Sequence, residues 1–151
     1  MDALLRWLTR TPVQTFVLCP LVVIAFEFAW HDGRPVVVPW GALLMAWGYL
    51  QYLFVGRYRM PRAGGSWGIE IPPDQIVATG PYRYTRNPMY VGLTLILIGV
   101  WLLLGTASAA LPIAIFVWII QSRFIRGEER FLDEIFGEQY RGYKSRVRRW
   151  I

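Results

Sequence analysis

The chain has 151 residues, of which 55% are hydrophobic and 17% are charged, and its formal net charge is +6. Soluble domains have about a quarter of their residues charged, so this length and composition indicate one domain that is not an ordinary soluble one and is not disordered. A single cysteine excludes a disulfide scaffold, and the long apolar segments argue against nucleic acid as the partner of the positive charge.

Four apolar segments follow one another along the chain, at residues 13–30, 36–55, 88–104 and 107–122. A helix needs about 20 apolar residues to cross the hydrocarbon core of a bilayer. The first two segments have this length, and the last two approach it with their neutral neighbours. Gly105–Ser108 predicts a tight turn between them. The sequence therefore predicts an all-α integral membrane protein, a single domain of residues 1–151 with four transmembrane helices, the last two forming a hairpin.

The lysine and arginine residues give this arrangement an orientation. Fifteen of the 16 lie in the N-terminal segment, in loop 56–87 or in tail 123–151, and Arg34 lies in the first loop. The positive-inside rule places the first three segments, and hence both termini, in the cytoplasm. Apolar side chains recur in the tail at helical spacing, which predicts an amphipathic cytoplasmic helix ending at Gly137.

Glu27 is a carboxylate within the first apolar segment. Ionisable residues inside a membrane are candidates for function by default. Glu27, however, lies three residues before Trp30, near the membrane face that carries fewer charges. We expect it to be solvated at the interface and to have no role in a site on the cytoplasmic side.

Two polar motifs lie on the predicted cytoplasmic side. In the loop, Gly80-Pro81 predicts a turn, and Thr85 or Asn87 is placed to cap a helix beginning at Pro88. In the tail, a Glu128-Glu129 pair is flanked by arginines. Taken separately, the first motif also fits a capped helix with arginines at lipid headgroups, and the second fits a solvated helix surface with salt bridges.

Taken together, the motifs resemble the membrane methyltransferase family that includes isoprenylcysteine carboxyl methyltransferase and the phospholipid N-methyltransferases. The resemblance covers about residues 74–151. It rests on the order and spacing of the segments GPYRYTRNPMYVG (80–92), EE (128–129), FGEQYRGY (136–143) and VRR (147–149), the last similar to the family's closing Val-Pro-Arg.

The resemblance implies S-adenosylmethionine as cofactor, bound at the cytoplasmic membrane face between the loop and the tail. It also implies a lipophilic methyl acceptor that enters from the bilayer. The implied cofactor-binding residues are Gln75, Ile76, Val77, Gly80, Tyr82, Asn87, Tyr90 and Glu128. No metal and no nucleic acid are expected.

Within this set, the chemistry of the cofactor suggests individual roles. Glu128 is the candidate for the ribose hydroxyls or the ammonium group, and the aromatic faces of Tyr82 and Tyr90 can receive the adenine or the sulfonium. An arginine is needed for the cofactor carboxylate or an anionic acceptor. The candidates for this task and for catalysis are Arg86, Arg123, Arg126 and Glu129.

Asn87 departs from the family pattern, which commonly has His in the motif Arg-His-Pro-x-Tyr. An amide can donate and accept hydrogen bonds but does not titrate near neutral pH. The departure therefore favours a binding role at this position over a general base.

Several alternatives remain open. The acceptor can be a prenylcysteine-type carboxylate or thiol, a phospholipid amine, an isoprenoid or quinone-like lipid, or a small thiol. A related Arg-x-Pro-x-Tyr and tail arrangement occurs in NADPH-dependent membrane sterol and steroid reductases, whose chains are usually longer. A third possibility is a non-enzymatic membrane protein whose basic tail binds anionic lipid or a protein partner. The sequence leaves the oligomeric state open.

Overall fold

The structure is a computed structural model that describes residues 17–30, 37–64 and 73–151, and every regular element in these ranges is helical. The main helices are α1 (Cys19–Trp30), α2 (Trp40–Arg59), α3 (Pro88–Leu104), α4 (Ala110–Ile119) and α5 (Arg126–Arg146). Short 3-10 turns lie at Met60–Arg62 and Gly80–Arg83, and a π-helical turn, Ile120–Ile125, joins α4 to α5. The predicted all-α class is confirmed for these residues. The start of the first predicted span, the N-terminal arginines and the Arg34 loop lie outside them.

One helical run in the described ranges is long and apolar enough to cross a membrane. It extends over Ala110–Arg146, from α4 into α5. Helices α1 and α3 are apolar but shorter, with 12 and 17 residues. One helix could therefore span a bilayer on length and composition, and the four-span arrangement stays a prediction.

Helices α2 and α3 pack against each other in antiparallel directions through pairs of glycines. Gly41 of α2 lies against Gly99 of α3, and Gly48 lies against Gly92. A Cβ atom at Gly48 would lie 2.8 Å from the Gly92 carbonyl oxygen, and a Cβ at Gly92 equally close to the Gly48 carbonyl oxygen. Small residues at such positions let helix backbones approach closely. This contact places the start of α3 beside the last turns of α2.

The turn between α3 and α4 is attached to α1 by hydrogen bonds. Helix α3 ends at Gly105, which has a left-handed backbone (φ 63°) that glycine adopts without steric cost. Glu27 of α1 is completely buried, and its carboxylate accepts hydrogen bonds from Thr106 Oγ1 at 2.5 Å and Ser108 Oγ at 2.7 Å. The expectation that Glu27 is solvated at the interface is therefore wrong, because hydroxyl groups of the turn take the place of water.

Helix α5 bends at Gly137 and continues beyond it. Gly137 has φ 48° and ψ −122°, yet helical structure resumes and extends to Arg146. Gly137 therefore ends the first part of the helix as predicted, because its backbone is not helical, and a second helical part that was not predicted follows it. The second part of α5 carries the buried residues Tyr140 and Tyr143, which face the loop before α3.

Candidate active site

An open cleft with about 480 Å³ of empty space lies between the loop before α3 and helix α5. This volume includes space that is open to solvent. A recess of about 220 Å³ adjoins it at the start of α3 and shares its central residues. The cleft is lined by Arg59, Pro73, Gln75, Ile76, Val77, Tyr82, Arg86, Asn87, Glu128, Glu129, Leu132, Tyr140 and Tyr143.

Most of the residues predicted for the site from sequence lie at this cleft. Eight of the twelve line the cleft itself, and Tyr90 lines the adjoining recess. Gly80 lies in the nearby turn, whereas Arg123 and Arg126 are exposed on the outer surface of the π-helical turn and the first turn of α5. The structure therefore brings nine predicted residues together and leaves these three apart from them.

The turn at Gly80 shapes the loop side of the cleft. Gly80 has φ +59°, and a Cβ atom there would collide with the ring of Tyr58. The Tyr58 hydroxyl lies 2.9 Å from Thr79 Oγ1, and the Gln75 side-chain amide donates to the backbone carbonyl of Arg62. These contacts attach the loop to the end of α2, so Gly80 has a conformational role at the cleft.

The C-terminal residues close one side of the cleft by pairing with the segment before α3. The backbone N–H of Arg86 donates to the Arg148 carbonyl at 2.9 Å. The Arg149 carbonyl accepts from Thr85 Oγ1 at 2.9 Å and from Asn87 Nδ2 at 3.1 Å. Helix α3 begins at Pro88 as predicted, but it has no side-chain cap bond. The expectation that Thr85 or Asn87 caps α3 is therefore wrong, because both side chains bind the C-terminal segment.

A cluster of three charged side chains lies where this segment meets α5, with Arg86 and Glu129 buried and Arg149 32% exposed. Glu129 is 5% exposed, and Arg149 binds it in bidentate fashion, with Nε 3.0 Å from Oε1 and Nη2 2.6 Å from Oε2. Arg86 Nη1 lies 3.2 Å from the same Oε1. Arg86 Nε and Nη1 are nevertheless buried without a hydrogen bond among the described residues. Arg149 was not predicted as a site residue, and its place in the closing Val-Arg-Arg was the signal that pointed to it.

Glu128 lies at the junction of the cleft and the recess. Its side chain is 23% exposed, and its Oε1 lies 3.9 Å from Arg59 Nη2. Burial raises the pKa of Glu128 above its ordinary value, the Arg59 charge and a hydrogen bond from Tyr90 lower it, and neighbouring Glu129 raises it further. Sequence reasoning missed Arg59, whose position in the last turn of α2 gave no signal beyond its charge.

The tyrosines that line the cleft are neutral phenols at physiological pH. Burial raises the pKa of Tyr140 to about 12, and it also raises the pKa values of Tyr82 and Tyr143 above the ordinary value. The Tyr143 hydroxyl donates to the Tyr82 carbonyl at 2.7 Å. These groups can donate hydrogen bonds and present aromatic faces, but they cannot serve as bases near neutral pH.

The combination of groups suits a ligand that carries both charges and an apolar ring. Arg59 and Arg86 offer positive charge, Glu128 offers a carboxylate, and Ile76 and Leu132 offer apolar surface. Within the described ranges, no group of three or more His, Cys, Asp or Glu side chains is arranged to hold a metal ion.

Known proteins provide independent evidence on the family. The sequence profile of the phospholipid methyltransferase family matches residues 37–139. The chain is 31% identical over 107 residues to a protein-S-isoprenylcysteine O-methyltransferase of Schizosaccharomyces pombe, covering 65% of this chain and 45% of that one. It is 42% identical over 72 residues to the Saccharomyces cerevisiae protein of the same name, covering 48% and 30%. The chain thus spans less than half the length of these two relatives.

A shorter relative is an uncharacterised protein of Haemophilus influenzae, 44% identical over 63 residues, which are 42% of this chain and the whole of that one. No solved structure matches the chain. The profile and the named relatives both support a methyltransferase. Because the profile covers more than half of its residues, the chain belongs to the phospholipid methyltransferase family.

Proposed function

We propose that the protein is an integral membrane methyltransferase that binds S-adenosylmethionine in the cleft and methylates a lipophilic acceptor at the cytoplasmic membrane face. One observation carries the proposal. Loop residues 75–77, Tyr82 and Glu128 meet at one cleft, although a helical hairpin separates the loop from Glu128 in the sequence.

Each part of the cofactor has a complementary group in the cleft. The carboxylate of Glu128 suits the ribose hydroxyls or the ammonium group, and the tyrosine rings and Ile76 suit the adenine or the sulfonium. Arg86 has two buried donors without a hydrogen bond among the described residues, as a carboxylate-binding arginine would. Arg123 and Arg126 lie on the exposed outer surface, so we assign the carboxylate to Arg86.

The bound cofactor supplies an activated methyl group on its sulfonium. The protein contributes chiefly by holding acceptor and cofactor in line and by excluding water. Asn87 donates a hydrogen bond to the C-terminal segment and does not titrate near neutral pH. We therefore propose that it binds and positions, and that the acceptor reaches the site already ionised or gives its proton to another group.

The surface of the helices supports insertion in a membrane. Large apolar side chains are exposed on α1, α2 and α4, among them Leu21, Trp40, Trp47, Phe54, Leu111 and Trp118. Contiguous exposed apolar surface on this scale is uncommon on soluble monomers. We propose four spans with both termini in the cytoplasm, and reporter fusions at residue 151 and within the α3–α4 turn would test this topology. Cytoplasmic reporter activity at the turn would contradict it.

The candidate methyl acceptors are a prenylcysteine-type carboxylate or thiol, a phospholipid amine and an isoprenoid. The names of the matched relatives make the prenylcysteine carboxylate the first acceptor to test. Transfer of a labelled methyl group to N-acetyl-S-farnesylcysteine, with a phospholipid as the parallel acceptor, separates the first two classes.

Cofactor binding is tested by calorimetry on the detergent-solubilised protein, with S-adenosylmethionine and NADPH in parallel. We expect saturable binding of S-adenosylmethionine alone. Glu128→Ala should abolish it without reducing expression or membrane insertion, whereas Glu134→Ala, an exposed glutamate on the same helix, should not. Binding of NADPH alone would instead indicate a reductase, and binding of neither by folded protein would refute an enzyme of either class.

A further inference from the structure

We propose that Glu129 and Arg149 form a positioning pair that keeps Arg86 free to bind the carboxylate of a ligand. The sequence suggested Glu129 as a catalytic group and Arg149 only as part of the closing Val-Arg-Arg. This inference rests on the proposed function and gives separate roles to Glu129, Arg149 and Arg86.

Arg149 is the main hydrogen-bonding partner of Glu129. Arg149 uses Nε and Nη2 on the two different oxygens of Glu129, at 3.0 and 2.6 Å. This is the bidentate arrangement in which arginine binds a carboxylate most specifically. Glu129 is therefore occupied by a protein cation, which disfavours direct contact between its carboxylate and the reacting atoms.

Arg86 is left beside the pair with unused hydrogen-bonding capacity. Its Nη1 is 3.2 Å from Glu129 Oε1, yet neither Nη1 nor Nε makes a hydrogen bond of acceptable geometry within the described ranges. The Arg86 side chain is 9% exposed and lines both the cleft and the recess. Two guanidinium groups share one carboxylate, so the cluster carries an excess positive charge that a ligand carboxylate would balance.

The backbone fixes the register between the two arginines. Thr85 and Asn87, the neighbours of Arg86 in the sequence, both donate to the Arg149 carbonyl, and the Arg86 N–H donates to the Arg148 carbonyl. The C-terminal segment thus cannot move relative to Arg86 without breaking these bonds. Arg149 is held where it competes with Arg86 for Glu129.

The prediction is that removal of Arg149 redirects Glu129 to Arg86 and lowers the affinity for a carboxylate. Three variants separate this effect from general damage: Arg149→Met, Arg148→Met and the double variant Glu129→Gln/Arg149→Met. Arg148 is exposed, so its substitution removes the same charge from the same segment without touching Glu129. The double variant removes the anion together with Arg149, so that no carboxylate of Glu129 is left to bind Arg86.

Binding is measured with two probes. S-adenosylhomocysteine carries the amino-acid carboxylate, and 5′-methylthioadenosine keeps the adenosine but lacks that group. For Arg149→Met we expect about a tenfold to hundredfold loss of affinity for S-adenosylhomocysteine and little change for methylthioadenosine. Arg148→Met should bind both probes as the unmodified protein does, and the double variant should recover most of the lost affinity.

The probes also identify the source of the carboxylate. A loss confined to S-adenosylhomocysteine places the cofactor carboxylate on Arg86. The alternative is that Arg86 binds the carboxylate of the acceptor. In that case both probes bind Arg149→Met normally, the KM for N-acetyl-S-farnesylcysteine rises, and the double variant reverses the rise. Either result supports the positioning pair.

Other results would overturn it. Two results would show that Arg149 only attaches the C-terminal segment. The first is a folded double variant that binds S-adenosylhomocysteine no better than Arg149→Met does. The second is an equal loss of affinity for the two probes in Arg149→Met. If Arg149→Met does not fold, the test is made on the double variant alone. The proposal then requires the folded double variant to bind S-adenosylhomocysteine nearly as well as the unmodified protein does, and weak binding by this variant would refute it. Failure of the unmodified protein to bind either probe would refute the proposed function itself.

Discussion

The molecule buries one carboxylate at each end of α3, and the two are balanced by different partners. Glu27, near the α3–α4 turn, accepts hydrogen bonds from the hydroxyls of Thr106 and Ser108. Glu129, at the opposite end, is paired with the guanidinium groups of Arg149 and Arg86. Helix α3 has 17 residues, so the two sites are about 25 Å apart along its axis.

The difference in partners explains why one end is a candidate site and the other holds helices together. The hydrogen bonds from the hydroxyl groups of Thr106 and Ser108 to Glu27 connect α1 to the α3–α4 turn. Two guanidinium groups around Glu129 exceed its charge, and Arg86 Nε and Nη1 have no hydrogen bond to any residue that the structure describes. An excess of buried positive charge is unfavourable in the absence of a ligand and favourable when an anion binds.

The largest effect on stability is expected from Glu129→Ala. The substitution leaves the buried Arg86 and the partly exposed Arg149 without their shared counter-ion, and the loss of one partner of a buried ion pair typically costs about 3–5 kcal/mol. Thermal unfolding in detergent should show a large fall in Tm, and Glu134→Ala on the exposed side of α5 should leave Tm nearly unchanged. Equal Tm values for the two variants would mean that the buried charges do not contribute to stability as the geometry indicates.

Substitution of Glu27, at the other end of α3, is expected to have a smaller effect that is confined to stability. Glu27→Leu removes the acceptor of two half-buried hydroxyl groups and should lower the unfolding free energy by about 1–3 kcal/mol. Glu27→Gln keeps one oxygen acceptor, so it should lower the unfolding free energy by less than Glu27→Leu does and leave the activity nearly unchanged. Affinity for S-adenosylhomocysteine should be the same in both variants as in the unmodified protein. A large loss of affinity would show that the cleft is coupled to the α3–α4 turn and would weaken the contrast between the two ends.

The same contrast shows which features follow from local sequence. The apolar runs predicted α3 to within its observed bounds, and the motif around Tyr82 and Glu128 predicted most residues of the cleft. The bounds of α3 and the grouping of these residues at one cleft could be anticipated because hydrophobic length, a proline at the first helical position and a resemblance to known motifs depend on short segments.

Features that depend on contacts between distant segments were not predictable in this way. Glu27 was expected in water because it is close to Trp30, but its burial is determined by a turn about 80 residues later. The glycine pairs that join α2 to α3 involve Gly48 and Gly92, whose significance appears only when the helices are brought together. Arg149 acquires its role from Glu129, 20 residues earlier in the chain.

Glu128 is a third carboxylate, with the Arg59 guanidinium 3.9 Å away and a side chain that is partly exposed at the cleft. Burial raises the pKa of Glu128, so the folded protein holds this proton more tightly than the unfolded chain does. Its contribution to stability is therefore present below the ordinary Glu pKa of about 4.3 and is lost as the pH rises through the higher pKa of the folded state.

Glu128→Gln should remove this pH dependence. The Tm difference between the variant and the unmodified protein should shift in favour of the variant as the pH rises from about 4 toward neutral. Affinity for S-adenosylmethionine should fall in the same variant, because the amide lacks the negative charge. A Tm difference that is constant over this range would contradict the raised pKa, and unchanged affinity would remove Glu128 from the proposed site.

The smallest effect is expected from Asn87→His, which restores the residue common in the family. Asn87 Nδ2 donates to the Arg149 carbonyl at 3.1 Å, and an imidazole N–H can supply the same bond. Cofactor affinity and methylation at neutral pH should therefore change by no more than about twofold. Asn87→Asp is the informative counterpart, since it has no donor and places a carboxylate beside the Arg149 carbonyl oxygen, and it should weaken both. A complete loss of activity in the His variant, with Asn87→Asp unaffected, would show that the bond to the C-terminal segment is not what this position contributes.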